Sequence, residues 1–137
     1  MKISLFCAKG FETMEFSVFV DVLGWARNDY NYPVKVETYG FTKPVNSTFN
    51  IPIIVDKTID EITADVYDAS AIPGGFEEFD FYEEAYNPKF LNLIENFDIQ
   101  KKPIAAICVA ALALGKSGVK KSEGYNLSFK RRTGCGI

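Results

Sequence analysis

The sequence predicts a three-layer α/β/α sandwich built on a mainly parallel sheet, and three observations carry that expectation. Short, nearly continuous apolar runs recur at residues 2–8, 66–72 and 103–107. The second ends in a glycine pair, the first runs into a glycine-bearing turn, and the third passes directly into small helix-forming residues. Segments with helical spacing separate them, so each run reads as a strand covered on both faces by helices.

The elements follow in order. After the first strand, residues 13–28 form a helix with Phe16, Phe19, Val20, Leu23 and Ala26 on one face, broadened by Val18, Val22 and Trp25. That helix is apolar almost all round, so its own sheet covers only part of it; a partner subunit is the expected cover for the rest, the alternative being the missing part of its own domain. Val34 to Tyr39 alternates as a second strand, while Pro44 and Pro52 keep residues 45–55 out of the central sheet as a small hairpin. Val66 to Ile72 gives the third parallel strand. Phe90, Leu93, Ile94 and Phe97 fall at helical spacing, and Lys101-Lys102-Pro103 closes that helix before the last strand.

At 137 residues with 47% apolar and 24% charged content, the chain is read as one domain able to bury its own core. A net charge of -3 with interspersed signs offers no footprint for nucleic acid or an anionic membrane. Lys120, Lys121, Lys130, Arg131 and Arg132 form the one basic cluster, read as a solvated tail. No apolar run reaches the ~18 residues of a membrane span, and the start lacks a signal-peptide core, so a cytoplasmic protein is expected. Cys7, Cys108 and Cys135 show no metal-ligand spacing and the sequence contains no histidine, so neither a metal, a cofactor nor a disulfide framework is expected.

Cys108 stands where the apolar run Pro103–Ile107 changes into Val109-Ala110-Ala111-Leu112-Ala113-Leu114. A sulfur at the carboxyl edge of a sheet, facing a helix N-terminus, meets unpaired N–H groups that favour thiolate over thiol. The alternative is a small hydrophobe buried in the core. Two other segments converge on that edge: Ala8-Lys9-Gly10-Phe11-Glu12-Thr13-Met14-Glu15 after the first strand, and Ala71-Ile72-Pro73-Gly74-Gly75 after the third. Glu15, in the first helical turn, serves at least to complement the helix dipole. Gly74 and Gly75 read as a turn requiring positive φ.

The motifs AKGFETME, AIPGG and AAIC, in this order and spacing, resemble the DJ-1/PfpI superfamily over residues 1 to about 119, more the DJ-1 branch than the PfpI peptidase branch. The resemblance implies a flavodoxin-like fold with Cys108 as the reactive residue. It implies that the Glu15 carboxyl hydrogen-bonds the sulfur, its protonated form donating to a thiolate or sulfinate oxygen. It also implies an anion pocket at Gly74, Gly75 and Val109, with the N–H groups of Gly75 and Val109 as its donors. Glu12 matches a more variable position and receives no role.

Two departures bear on activity. Peptidase-like members carry histidine directly after the cysteine, where this chain has Val109, and other members carry a downstream histidine that this chain lacks. Cysteine–histidine general-base catalysis therefore cannot operate within the sequence as it stands. From Lys121 the sequence KSEGYNLSFKRRTG fits neither a strand nor a helix. One nucleotide string encoding it, read one base later, gives SRKATTYHLKEGRV, the strand and histidine expected of the family. Residues 120–137 are thus expected to be an out-of-frame tail on a C-terminally truncated member.

The expected function is that of a redox-responsive protein whose Cys108 is oxidised as far as sulfinate. The alternative is a cysteine-dependent enzyme of glyoxalase or deglycase type acting on small carbonyl compounds, impaired by the missing histidine. A third reading keeps the fold without activity.

Overall fold

The computed structural model describes residues 1–119; the expectations for the tail and for Cys135 lie outside these residues. Five strands form one sheet: β1 (Lys2–Phe6), β2 (Lys35–Gly40), β5 (Lys57–Thr58), β6 (Ala69–Ile72) and β7 (Ile104–Ala106). Their order is β5-β2-β1-β6-β7 and every pairing is parallel. The short strands β3 (Val45–Asn46) and β4 (Pro52–Ile53) pair antiparallel beside it, as the two prolines require.

Alternation within β1 feeds two layers. Ile3 and Leu5 point to α1 (Thr13–Tyr30) and meet Phe16, Phe19 and Leu23, with Val34 and Ala71 completing that side. Phe6 points the other way and stacks on Phe90 with ring centroids 3.8 Å apart. It joins a larger core with Ile72, Ile94 and Phe97 beneath α2 (Phe81–Ala85), α3 (Pro88–Ile99) and α4 (Ala110–Lys116). The predicted stripe on α3 is borne out, since Phe90, Leu93, Ile94 and Phe97 are all buried. Asn87 starts that helix by accepting the Lys89 N–H, with Pro88 at the first position.

On α1 the structure differs from the sequence expectation in one respect. Val20 is exposed, because it faces Val34 and Val36 of the β2 side across an open groove instead of packing on the sheet as Phe16, Phe19 and Leu23 do. No residue of α1 is fully buried, and Met14, Val18, Val22 and Trp25 are 76%, 51%, 62% and 59% exposed.

The connections leave β1 towards β2 on one side and reach β6 on the other, which makes the β1/β6 boundary the point where the winding reverses. Loops diverge there and leave a crevice at the carboxyl ends of the strands. That crevice holds the candidate residues.

Candidate functional site

Three loops build the site, and backbone hydrogen bonds fix their relation. Gly10 turns the chain after β1 at φ +69°, a conformation that favours glycine. Phe11 then bridges Gly75 antiparallel: the Glu12 N–H donates to Gly74 O at 2.8 Å and the Phe76 N–H to Gly10 O. In such a bridge the flanking residues make the hydrogen bonds, so the Gly75 N–H takes part in neither. Glu12 caps α1, its carboxylate accepting the Met14 N–H at 3.2 Å, and this cap places Glu15 in the first turn facing the end of β6.

Glu15 is anchored there. Its Oε2 accepts the Gly74 N–H at 2.7 Å. Gly74 is wedged between the two candidate side chains, since a Cβ on it would lie 2.8 Å from Glu15 Oε2 and 3.2 Å from Cys108 Cβ. One expectation is corrected at this point. Neither Gly74 nor Gly75 adopts positive φ; what excludes a side chain is space, because a Cβ at Gly75 would collide with the Phe81 ring and the Gly10 carbonyl. The Gly74 N–H is engaged by Glu15 and is not among the two donors the resemblance implies.

Cys108 lies at the strand-to-helix elbow between β7 and α4 and is exposed, with φ 55°. A non-glycine residue in the left-handed region is strained, and here it turns the sulfur out of the core. Cys7 is the opposite case: it is fully buried among Phe11, Val45 and Val55, and burial pushes its thiol far above the usual range.

The electrostatics at Cys108 run against the thiolate expected from the sequence. Partial burial pushes the thiol up; the Val109 N–H on the sulfur pulls it down; the carboxylates of Glu15 and Glu12 push it up again. The Val109 N–H is outweighed first by burial and then by the two carboxylates.

Two neighbours carry no role in the sequence reading. Glu12 adds its charge to the sulfur's surroundings, and its place one residue before a helix was the available signal. Tyr82 faces the field of Cys108 from α2, and its phenol is pushed up, first by burial. Among the described residues no cluster of three or more His, Cys, Asp or Glu is arranged to hold a metal ion, and no helix is long and apolar enough to cross a membrane.

Comparison with known proteins agrees with this geometry. Drosophila melanogaster DJ-1beta superposes with a TM-score of 0.72 at 27% identity, over 86% of this chain and 60% of that one. A DJ-1 superfamily protein of Agrobacterium tumefaciens gives 0.67 at 27% identity, over 87% and 59%. An uncharacterized protein of Methanocaldococcus jannaschii is 31% identical over 71 residues, 52% of this chain and 34% of its own length. The chain thus spans about three fifths of these solved relatives and a third of the curated one. The model of the DJ-1/PfpI family matches residues 1–127, nearly the whole sequence and every segment of the crevice, and the chain accordingly belongs to the DJ-1/PfpI family.

Proposed function

We propose that Cys108 is a redox-responsive thiol whose oxidation Glu15 and the neighbouring N–H groups guide. The observation that carries this reading is the contrast between the two described cysteines: Cys108 is exposed at an elbow beside an anchored carboxyl, and Cys7 is sealed in the core. In the reaction, sulfur attacks one oxygen of a peroxide, the O–O bond breaks, and the other oxygen leaves as water with the thiol proton. A second peroxide repeats the step on the sulfenic acid and yields the sulfinic acid. Glu15 takes the proton the sulfinate releases and donates it back as a hydrogen bond, while the Val109 and Gly75 N–H groups meet the oxygens.

Mild peroxide treatment followed by peptide mass analysis tests this. Two oxygen atoms should appear on Cys108 before any appear on Cys7, and equal modification of both removes the proposal. Turnover of small carbonyl compounds is the competing reading. Without histidine, lactate formation from methylglyoxal should be absent, and its detection would move Cys108 from a sensor to a catalytic nucleophile. Homodimer formation through the exposed side of α1 belongs to the same proposal, since Met14, Val18, Val22 and Trp25 are exposed along the helix; Val18 and Val22 also line an open apolar groove against Ala69, Ala71 and Ala105 of the chain's own sheet.

A further inference from the structure

The short helix α2 holds two of the loops that build the site. Phe81, its first residue, fills the space a side chain at Gly75 would need. Glu84, one helical turn further on, reaches the loop after β1: its Oε2 accepts the Lys9 N–H at 2.7 Å. Asp80, which caps the same helix, takes the Lys9 ammonium. One lysine is thus gripped at its main chain and at its tip. The residues after Lys9 give that grip its reach. Gly10 packs against the Phe79 carbonyl, and its N–H donates to Asn46 O at 2.8 Å. Phe11 bridges Gly75, the Glu12 N–H donates to Gly74 O, and the Gly74 N–H donates to Glu15. A line of hydrogen bonds therefore runs from Glu84 through the Lys9–Glu12 turn to Gly74 and Glu15.

Glu84 is half-buried while its neighbour Glu83 is exposed. Burial pushes its carboxyl up, the Lys9 N–H and the Lys9 charge pull it back, and Glu83 pushes it up again. Desolvating a carboxyl costs free energy, and the Lys9 N–H is the donor that compensates this one. Removing the acceptor would leave a main-chain donor unpaired at the start of the turn, and that donor would then seek water and carry the turn with it. We propose that Glu84 is a positioning residue for the Cys108 site, fixing the Lys9–Glu12 turn and through it the Glu15 carboxyl beside the sulfur. The assignment rests on Cys108 being the accessible reactive thiol; it adds a side chain that acts on the site through the main chain.

The pH profile of Cys108 alkylation in the full 137-residue chain tests the assignment without requiring turnover. The thiolate displaces iodide from iodoacetamide and an S–C bond forms, so the rate follows ionisation of the sulfur. Glu84→Met keeps the side chain's length and helix propensity but offers the Lys9 N–H no acceptor. With the turn released, the Glu15 charge no longer stays at the sulfur, and the profile should move to lower pH, the direction expected of Glu15→Gln. In a Glu15→Gln background the same change should move it far less. Glu84→Gln retains a carbonyl oxygen for the N–H and should keep the wild-type profile. An unmoved profile in Glu84→Met, an equal shift in Glu84→Gln, or an undiminished shift in the Glu15→Gln background overturns the positioning role and leaves the proposed function standing. The wild-type chain gives a check that needs no variant. The Lys9 amide proton should shift in the NMR spectrum as the Glu84 carboxyl titrates, above the usual glutamate range. A Lys9 amide indifferent to that titration overturns the role even where Glu84→Met fails to fold. Failure of iodoacetamide to label Cys108 in the wild-type chain overturns the proposed function and the positioning role with it.

Discussion

Adding one methyl group at Gly74 should damage the site, and adding one at Gly24 should not. A Cβ on Gly74 would come 2.8 Å from Glu15 Oε2, closer than side-chain carbons approach in real structures, and 3.0 Å from the Ile107 carbonyl oxygen, which is tight but observed. The carbonyl is fixed by the chain, so the flexible carboxylate yields and gives up the 2.7 Å bond from the Gly74 N–H. A hydrogen bond to a charged group contributes about 1.5–3 kcal/mol, and replacing glycine recovers up to ~1 kcal/mol through the unfolded chain. The net loss is about 1–2 kcal/mol, a fall in Tm of roughly 4–8 °C at this size. Gly24 lies inside α1 with nothing within 4 Å of its added Cβ, so Gly24→Ala should raise stability by up to ~1 kcal/mol. Thermal unfolding of both variants reads the signs. Repeating Gly74→Ala in a Glu15→Ala background should shrink its effect by roughly 1 kcal/mol, because the displaced partner is already gone. An unchanged Tm and unchanged Cys108 labelling in Gly74→Ala would refute the reasoning, and an equal loss in both backgrounds would assign it to Ile107 instead.

Three further outcomes are expected. Glu15→Gln should move the pH profile of Cys108 alkylation to lower pH, since the carboxylate charge is one of the causes holding the thiol up; an unmoved profile removes Glu15 from the sulfur's environment. Glu37 is buried in β2, accepts the Tyr67 hydroxyl at 2.7 Å, and pairs with Lys2, Lys35 and Lys57 at 3.1, 2.9 and 3.3 Å. Lys35 first, then Tyr67, holds its carboxyl well below the usual range, so its stabilisation is present above the unfolded carboxyl's pKa and is lost as pH falls from about 5 downwards. Glu37→Gln should therefore lower stability by roughly 2 kcal/mol at neutral pH, Lys35 being largely solvent-screened, and flatten the acid limb of a denaturation-against-pH series; an unchanged limb counts against it. Val22→Glu on α1 should convert a dimer to a monomer in sedimentation, and a wild-type chain that sediments as a monomer at micromolar concentration ends that part of the proposal.

What could be read in the sequence was the part written by burial. Strands sheathed on both faces leave apolar runs, prolines announce the side hairpin, and Phe90, Leu93, Ile94 and Phe97 mark their helix, because each signal is local. The convergence of Glu15, Gly74 and Cys108 was also legible, as loops at the carboxyl ends of parallel strands must meet. Signals between distant segments were not. Nothing near Glu37 in the chain tells that Lys2 and Lys57 arrive from neighbouring strands. The reason for Gly75 is the ring of Phe81, and the sulfur's electrostatics depend on Glu12 reaching the same crevice; both are facts of packing.

The main-chain donors at Gly75 and Val109 divide the site into positions with very different freedom to drift. An N–H group is inherited with any residue except proline, so position 109 can exchange one side chain for another and still present its donor to the sulfur. Positions 74 and 75 have no such latitude, since every alternative carries an atom into Glu15, Cys108 or Phe81. Under the proposed function, a chain without an imidazole therefore keeps in its backbone the donors that would meet an oxidised sulfur. The proposed sensing thus depends on the main chain at positions 75 and 109, where turnover would depend on a side chain.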